Sequence, residues 1–516
     1  MTKTKSTLKD DQNSKPEQGI TKISVSGYKS LADECSIEIA PLTILSGANS
    51  SGKSSIMQPL LLMKQTLEST YDAGSLKING ANVRLTSTDQ IFTKSINKLS
   101  SVVNSFTVSL ELNEKTVIKN TFKKESDKVT GIKIFSSVYK YLGFTIDLNL
   151  DMNDEKVLES CYDSLVKYFS VLVLEDKEDI NDFAHRFRLS LKYKYSLNNL
   201  IKNEDNKTIE RIHEFSKNIE DTYKIWIKNY RCFLYLDANF LDNDIPSALP
   251  SEIGSSEELA FTGLFKLFGS EGVYNEIMWR VCQLIHVAGL RGNPERTYPV
   301  SYIGQFFTGT FENYVASIIH SWKVTKDKRL KQLGEALQIL GLTWKVDTKQ
   351  IDDTQVEVRV GRLKTKSNSK STDMVSIADV GFGLSQTLPV IVALLVAEPE
   401  QLVYLEQPEI HLHPRAQANL AQLLVDAANR GVRVVVETHC ELLIRRVQSL
   451  IAEDKIAAEK VKLHWFSQDD NGFTKVTTAE LDETGAFGDW PEDFSEISLQ
   501  EESRYLDAAE SKLMAV

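Results

Sequence analysis

The stretch that decides the fold is residues 47–55, GANSSGKSS, which fits the phosphate-binding pattern G-x-x-x-x-G-K-[ST] at every position. The apolar run at residues 42–45 predicts a buried strand before it, and residues 56–66 are typical of a helix after it. In this setting the N–H groups of the loop and the N-terminus of the following helix favour a phosphate chain. The motif therefore predicts a site for a nucleoside triphosphate.

Each part of this loop has a predicted task. Lys53 is expected to reach the β- and γ-phosphates, and the hydroxyl of Ser54 is expected to bind Mg²⁺. A plain glycine–serine turn is the alternative interpretation, and a full-length match between a strand and a helix disfavours it. The predicted nucleotide-binding residues are Gly47, Ala48, Asn49, Ser50, Ser51, Gly52, Lys53, Ser54 and Ser55.

The composition is that of an ordinary globular protein, and 516 residues are enough for about two to four structural units. No stretch approaches about 18 uninterrupted apolar residues, so we expect no membrane span. The net charge of −11 disfavours a uniformly basic nucleic-acid binder, although a local basic patch would still allow contact. A reducing, cytoplasmic location is predicted because the cysteines form no CxxC pair: Cys35, Cys161, Cys232, Cys282 and Cys440.

Changes in pattern along the chain predict an α/β fold with an inserted segment. Residues 20–150 alternate as strands do, and the runs at 402–405 and 432–436 are typical of a mostly parallel sheet. Residues 151–285 are predicted to be a mainly helical insertion, with helical spacing over residues 209–235.

Three later segments extend the predicted site. Residues 379–386, DVGFGLSQ, place two glycines and a serine at a helix start, which is either a second anion site or a plain turn into the helix. Residues 401–414, QLVYLEQPEIHLHP, end a strand with Glu406, a carboxylate suited to a Mg²⁺-bound triphosphate unless it simply faces solvent. Residues 433–440, RVVVETHC, bring His439 to a strand's carboxyl end, where ligands collect, although a lone histidine there would more often be structural.

In this order the four motifs resemble those of ABC-type ATPase heads. More narrowly they resemble the overcoming-lysogenization-defect-like ATPases of bacterial defence operons, which are relatives of RecF, SMC and Rad-type repair heads. Three further stretches are similar to that family's N-terminal strand pair, inter-lobe segment and C-terminal module: ITKISVSGYKSLADECSIEIAPLTILSGANSSGKSS, LIHVAGLRGNPERTYPV and LDETGAFGDWPEDF. The resemblance covers both ends of the chain but not the 151–285 insertion.

The resemblance implies a two-lobed ATPase head with a β-rich N-terminal lobe. Its predicted parts are a disordered tail at 1–19, a first lobe with the phosphate loop at 20–150, the helical insertion at 151–285, a second lobe at 286–480 and a C-terminal module at 481–516. The second lobe would contain the glycine–serine signature, the Walker B strand that ends at Glu406, and the switch histidine.

The resemblance also implies that ATP is held between two heads in a homodimer or higher oligomer. The signature residues Gly381, Gly383 and Ser385 would contact the γ-phosphate bound to the other copy, and His439 would sense it. Gln90 is the candidate for a loop glutamine that joins Ser54 and Glu406 at Mg²⁺, with an ordinary surface glutamine as the alternative.

Two departures from the family pattern stand out. Gln407 lies where many ABC heads carry a second acidic residue, and an amide cannot accept a proton. Hydrolysis is therefore expected to be slow, or to use Glu409 or a chain of waters as the base. His411 and His413 form an H-x-H pair, and a metal site there is disfavoured because no third ligand is clustered with them.

Two functions are compatible with these features. The first is an ATPase subunit of an antiviral complex, resembling Septu-type ATPases that act with a separately encoded HNH nuclease, sometimes within retron systems. The second is a DNA-repair or chromosome-maintenance ATPase that holds DNA itself; a transporter ATPase is disfavoured by the RecF-like N-terminus. A fused nuclease is disfavoured because Asp469 and Asp470 lie in a predicted hairpin turn, and any nucleic acid would first be sought at the basic loop, residues 362–370.

Overall fold

The computed structural model describes residues 19–94, 104–113, 116–125, 131–141, 144–152, 156, 223–240, 273–362, 373–488 and 503–508. The predicted tail over 1–18, most of the 151–285 insertion, the basic loop from 363 and most of the C-terminal module lie outside the described residues. The strands are β1 (Lys22–Ser26), β2 (Cys35–Glu38), β3 (Leu42–Gly47), β4 (Ser105–Asn113), β5 (Thr116–Lys124), β6 (Ile132–Tyr141), β7 (Phe144–Asn149), β8 (Tyr223–Tyr230), β9 (Phe233–Phe240), β10 (Ile285–Val287), β11 (Tyr298–Pro299), β12 (Val346–Gln350), β13 (Gln355–Gly361), β14 (Met374–Ser376), β15 (Leu402–Glu406), β16 (Arg433–Glu437), β17 (Val461–Gln468) and β18 (Thr474–Ala479). The helices are α1 (Lys53–Leu67), α2 (Val273–Gln283), α3 (Glu312–Val324), α4 (Lys328–Ile339), α5 (Phe382–Val396), α6 (Pro414–Asn429) and α7 (Glu441–Ala452).

An antiparallel sheet in the order β2-β1-β4-β5-β6-β7 forms the β-rich part of the molecule. Its strands bury alternate residues because successive side chains point to opposite faces. Phe106 and Phe122 stack on the buried face with ring centroids 5.0 Å apart. This face shares one hydrophobic core with α1, so the sheet supports the helix that follows the phosphate loop.

A second sheet, in the order β10-β15-β16-β3-β17-β18, is parallel except for its last pair of strands. All six residues of β3 are buried, as expected for a strand with neighbours on both sides and helices over both faces. This mostly parallel sheet confirms the predicted α/β fold. The strand that leads to the phosphate loop nevertheless lies between β16 and β17, so it pairs with strands from the predicted second lobe rather than from the first.

Parallel pairing brings the carboxyl ends of β3, β15 and β16 to one edge of the sheet. Glu406 lies opposite Glu437 in the register of β15 and β16, and Glu437 lies opposite Leu45 of β3. Helices α3 to α7 pack around a second core with these strands. The phosphate loop and two strand-end carboxylates are therefore neighbours because of the topology alone.

The predicted helical spacing over residues 209–235 is wrong where the structure describes it. Strands β8 and β9 form an antiparallel hairpin there, with Arg231 and Cys232 in the tight turn. Arg231 has a left-handed φ of 54°, and its guanidinium donates hydrogen bonds to carbonyl oxygens of Thr66 and Ser69, each 2.7 Å away. The turn thereby caps the C-terminal end of α1, where free carbonyls favour a cation.

Helix α2 also lies within the predicted insertion, but it packs as part of the main body. Tyr274, Ile277 and Val281 are buried in the same core as α1 and the antiparallel sheet. Lys64 of α1 donates a hydrogen bond to the carbonyl oxygen of Cys282, 2.9 Å away. The end of the predicted insertion is therefore a structural support for the phosphate-loop helix.

Candidate functional site

The phosphate loop has a backbone that its glycines make possible. Gly47 and Gly52 have left-handed φ angles of 139° and 101°, which side chains rarely allow. A Cβ on Gly47 would lie 2.1 Å from the carbonyl oxygen of Phe466, and one on Gly52 would lie 2.3 Å from Oγ1 of Thr474. The two glycines of the motif are required here by shape as well as by conformation.

Lys53 lies at the centre of the loop. Its side chain is buried, and its Nζ donates hydrogen bonds to the carbonyl oxygens of Gly47 at 3.1 Å and Ala48 at 2.7 Å. Burial lowers the pKa of Lys53, and the nearby carboxylate of Glu437 opposes that shift. The ammonium group is therefore held inside the loop, where the sequence motif predicts a phosphate contact.

The hydroxyl of Ser54 faces a carboxylate that sequence reasoning did not select. Ser54 Oγ donates to Glu437 Oε1 over 2.9 Å, and the hydroxyl of Tyr404 donates to Glu437 Oε2 over 2.9 Å. Burial raises the pKa of Glu437, and the nearby charge of Glu406 raises it further. The motif ETHC places this acid, Glu437, at the end of an apolar strand, but only His439 of the motif was predicted to be functional.

Glu406 is the last residue of β15, as predicted. Its carboxylate is bound by His286 of β10 and by Gly289, which follows that strand. Oε1 lies 3.0 Å from Nε2 of His286, and Oε2 accepts a hydrogen bond from the N–H of Gly289 over 3.1 Å. Burial alone would raise the pKa of Glu406, but these hydrogen bonds and the charge of Arg291 hold it below its ordinary value. Glu406 therefore lies in the site as a carboxylate whose two oxygens already have partners.

Gln407 continues directly from this strand end. It has a left-handed φ of 41°, and its N–H donates to the carbonyl oxygen of Glu437 over 2.8 Å. This bond ties the ends of β15 and β16 together, next to the two carboxylates. The side chain is half-buried at the edge of the sheet, near the predicted triphosphate.

Glu409 is buried behind the site rather than open to it. Its Oε1 accepts hydrogen bonds from Oγ1 of Thr438 at 2.5 Å and from the N–H of His439 at 3.3 Å. Burial raises the pKa of Glu409, and its Oε2 is a buried atom without a hydrogen-bond partner in the described structure. Glu409 thus holds the segment that carries the predicted switch histidine.

His439 is brought to the phosphate loop by this segment. Ser46 Oγ donates to the carbonyl oxygen of Thr438 over 3.1 Å, and the N–H of Thr438 donates to Leu45 over 3.0 Å. The pKa of His439 is lowered, first by burial and then by the charge of Lys53, while a hydrogen bond with the backbone of Gly47 opposes this shift. The imidazole of His439 therefore lies against the loop that is predicted to hold phosphate.

A stability prediction follows from the position of Glu409. We expect Glu409→Ala to lower the free energy of unfolding by about 1–3 kcal/mol, because Thr438 and His439 lose a buried acceptor. Glu409→Gln keeps an acceptor oxygen in place, so its free energy of unfolding should stay within about 1 kcal/mol of the wild type. Urea denaturation measures both, and an equal loss in the two variants would contradict this role for the carboxylate.

The signature residues lie elsewhere, at the N-terminus of α5. Gly381 precedes the helix and provides no side-chain cap, and Ser385 Oγ donates to the carbonyl oxygen of Phe382 over 3.0 Å. A Cβ on Gly383 would lie 2.9 Å from the carbonyl oxygen of His411, so only glycine fits without movement. Gly381 and Phe382 are exposed, so this helix start faces outward.

Arg291, which sequence reasoning also missed, connects the predicted signature helix, α5, to the end of β15. Its guanidinium donates to the carbonyl oxygen of Gln386 over 2.9 Å and to that of Glu406 over 3.1 Å. The side chain of Gln386 is buried and donates to the carbonyl oxygen of Gly292 over 3.1 Å. The two parts of the predicted site are thus joined through one arginine within the chain.

Gln90 has a local structural task in this state. It ends the short 3₁₀ turn Thr88–Gln90 and completes a capping box with Ser87. Its Oε1 accepts a hydrogen bond from the N–H of Thr86 over 2.9 Å, and the residue is exposed. The structure therefore does not bring Gln90 into hydrogen-bond contact with Ser54 or Glu406, and its role at Mg²⁺ stays a prediction.

Two further residues that were considered for metal binding, His413 and Asp469, have structural roles. His413 caps α6, with Nδ1 accepting from the N–H of Arg415 over 3.5 Å, and Asp469 accepts from the N–H groups of Asn471 and Phe473, each over 2.9 Å, in the turn between β17 and β18. No group of three or more His, Cys, Asp or Glu side chains is placed to hold a metal among the described residues.

The described helices also include none that is long and apolar enough to cross a membrane.

Two protein-family models match the chain. The family described as "AAA ATPase domain" matches residues 19–231, which include the phosphate loop. The family described as "AAA domain, putative AbiEii toxin, Type IV TA system" matches residues 314–445, which include the signature, Glu406 and His439. Both matched segments are thus similar to AAA-type domains, the first of them described as an ATPase domain. These segments contain the residues that the fold brings to one sheet edge, and none of the curated proteins matches the chain.

Solved structures of SMC heads are similar to the chain. The Smc head domain of Pyrococcus furiosus, with an extended coiled coil and bound to the C-terminal domain of ScpA, is 11% identical, with a TM-score of 0.40 and coverage of 90% of this chain and 96% of that chain. The SMC head domain of Thermotoga maritima is 10% identical, with a TM-score of 0.34 and coverage of 90% and 100%.

Proposed function

We propose that this protein binds ATP with Mg²⁺ and hydrolyses it slowly, as the ATPase subunit of a bacterial anti-phage defence complex. One observation carries the ATPase part of the proposal. Lys53 and Ser54 of a complete phosphate loop lie with Glu437, Glu406 and His439 at the carboxyl edge of a parallel sheet. Ligands of open α/β sheets bind at this edge, and the loop N–H groups and Lys53 supply the charge that a triphosphate needs.

The residues present fit both ATP and Mg²⁺. Lys53 would hold the terminal phosphates, and Ser54 with a strand-end carboxylate would hold the cation, which prefers oxygen ligands. Bound Mg²⁺ would neutralise charge that develops on the phosphates during transfer. His439, whose N–H is bound by Glu409, would stand beside the terminal phosphate and donate one hydrogen bond to it.

A second copy of the chain would complete the site. The N-terminus of α5 is exposed, is not capped by a side chain and presents Gly381, Gly383 and Ser385. In the described structure the hydrogen bond of Ser385 goes to Phe382 of its own turn and not to the phosphate loop. We propose a homodimer or higher oligomer in which this helix start binds the triphosphate held by the other copy.

The defence role rests on the motif order and on the matched families. One of these is described with a toxin of a type IV toxin–antitoxin system, which is a class of bacterial conflict system. Nuclease activity would come from a separately encoded effector, of HNH type and within a retron system in one arrangement. Nucleic acid would be contacted through that partner or through the basic loop at residues 362–370, and the complex would act in the cytoplasm.

The proposed function is tested by phage challenge. The gene, expressed with its genomic neighbours in a phage-sensitive bacterium, should reduce plaque formation, and Lys53→Ala should remove that protection. The purified neighbour should cut DNA, whereas the purified chain with Mg²⁺ or Mn²⁺ should not. Unchanged plaque numbers, together with DNA-damage sensitivity when the gene is deleted from its host, would favour the chromosome-maintenance function instead.

Slow hydrolysis is expected because Gln407 follows the Walker B strand. An amide orients water but does not take its proton, and general-base assistance contributes about 10²- to 10⁴-fold to rates. We therefore expect Gln407→Glu to raise steady-state ATP hydrolysis by one or more orders of magnitude, up to about 10⁴-fold. Phosphate release measures this rate, with Gln332→Glu, at an exposed position of α4, as the matched control.

The variant Glu409→Gln distinguishes slow hydrolysis without a carboxylate base from hydrolysis in which Glu409 is the general base. The Glu409 carboxylate is buried and bound to Thr438 and His439, so its conversion to an amide should leave the turnover of the wild type nearly unchanged. A wild type that turns over tens of times per second, is silenced by Glu409→Gln and is unaffected by Gln407→Glu would contradict slow hydrolysis and identify Glu409 as the base.

A further inference from the structure

The carboxylate nearest to the loop hydroxyl comes from β16, not from the Walker B strand. β16 lies between β3 and β15, so its last residue, Glu437, stands beside the phosphate loop. Ser54 Oγ donates to Glu437 Oε1 over 2.9 Å, and the side chain of Glu437 is buried. The residue pair that a cation would meet first at the loop is therefore Ser54 and Glu437.

Tyr404 fixes the orientation of the Glu437 carboxylate. The buried hydroxyl of Tyr404 donates to Glu437 Oε2 over 2.9 Å, which leaves Oε1 directed at Ser54. The ring of Tyr404 is itself held, because His286 stacks on it with centroids 5.3 Å apart and an interplanar angle of 12°. Glu437 is thus presented to the loop in one orientation.

Glu406 is bound by other groups. Its two oxygens are occupied by Nε2 of His286 and the N–H of Gly289, and Nδ1 of His286 lies 3.1 Å from Oδ1 of Asn82. Each of these contacts lies on the side of β10, away from β3. Turning Glu406 toward Ser54 would break two hydrogen bonds in a half-buried place, which costs about 0.5–1.5 kcal/mol for each bond.

A cation would also relieve a repulsion that the fold creates. Glu406 and Glu437 are opposite residues of neighbouring strands, so two carboxylates meet at the sheet edge with Lys53 as a nearby positive charge. Like charges that are opposite each other destabilise a sheet. A divalent ion bound between the nucleotide phosphates and this edge would offset both charges.

We infer that Glu437, rather than Glu406, is the protein carboxylate that holds the nucleotide's Mg²⁺ together with Ser54. Glu406 is instead a positioning residue, fixed by His286 and Gly289 at the end of β15. This inference rests on the proposed function, since it assumes that the loop binds a nucleotide with Mg²⁺. It assigns the metal to β16, whereas the sequence motif assigned it to β15.

The test measures nucleotide affinity instead of turnover. A fluorescent ATP analogue is titrated into the full-length protein with Mg²⁺ and again with EDTA, and the ratio of the two dissociation constants gives the gain from Mg²⁺. We expect Glu437→Gln to reduce this gain by about 10- to 100-fold, as loss of a group that supports a metal does. Glu406→Gln should keep the wild-type gain within about twofold, and Glu459→Gln is the exposed control.

A second variant covers the case in which Glu437→Gln does not fold. Tyr404→Phe removes the hydroxyl that orients Glu437 and also interacts with Glu406, so it should reduce the gain from Mg²⁺ by a smaller factor, with little change in affinity under EDTA. A wild-type gain in both Glu437→Gln and Tyr404→Phe, or its loss in Glu406→Gln, would overturn the inference. A wild-type protein that binds no nucleotide in either condition would contradict the proposed function itself.

Discussion

Lys53→Ala is expected to abolish ATP binding. The Nζ of Lys53 lies inside the loop, within 3.1 Å of two carbonyl oxygens, at the place where a triphosphate would accept its hydrogen bonds. A hydrogen bond to a charged group contributes about 1.5–3 kcal/mol, and Lys53 would make more than one, so affinity should fall by at least about 100-fold. Isothermal titration calorimetry measures the loss.

The matched control for this variant is Lys349→Ala. Lys349 is exposed on β12, so its removal changes the net charge equally without touching the loop. Because Lys53 is buried and its bonds to Gly47 and Ala48 are lost in the variant, circular dichroism should first establish that Lys53→Ala is folded. A folded Lys53→Ala protein with the affinity of the control would refute the assignment of the nucleotide to this loop.

Ser385→Arg is expected to spare ATP binding and to prevent ATP-dependent dimerisation. Ser385 is partly exposed on the first turn of α5, and its hydroxyl bonds to the carbonyl oxygen of Phe382 within that turn, so the fold should accept a long side chain. In the proposed dimer the same side chain would fill the space between the helix start and the γ-phosphate. We expect the dimer affinity to fall by about 100-fold or more, which corresponds to about 2.7 kcal/mol.

Sedimentation velocity with and without ATP measures this effect. The wild type should shift from monomer to dimer when ATP is added, whereas Ser385→Arg should remain a monomer with unchanged nucleotide affinity. Ser385→Ala removes the hydroxyl without adding bulk and should show a smaller loss. If Ser385→Arg dimerised as the wild type does, the signature would have to lie elsewhere in the chain.

The parts of the site that the sequence predicted are those encoded by neighbouring residues. The phosphate loop is such a case, because two glycines, a lysine and a serine at fixed spacing determine both its backbone and its chemistry. Glu406 and His439 were found for a similar reason, since each follows an apolar run that reads as a parallel strand. Strand direction alone then placed both at one edge of the sheet.

The parts that the sequence did not predict depend on distant pairing. Ser54 and Glu437 are separated by 383 residues, and His286 and Glu406 by 120, so no local pattern records either contact. The hairpin of β8 and β9 was missed because apolar residues in a polar segment fit helical spacing and alternation equally well over a short span. The pairing of β8 with β9 and the capping of α1 by Arg231 favour the strands over a helix in this segment.

The position of β3 between β16 and β17 has a consequence for how the protein is made. Ser46 meets Thr438, a partner 392 residues further along the chain, and Ser51 meets Thr474, 423 residues further along. At ~5–20 residues per second, a ribosome needs about 20–80 s to synthesise the first of these partners after the loop itself. During that interval the nascent chain holds a strand with two open edges, so the complete nucleotide site forms only after most of the chain has been synthesised.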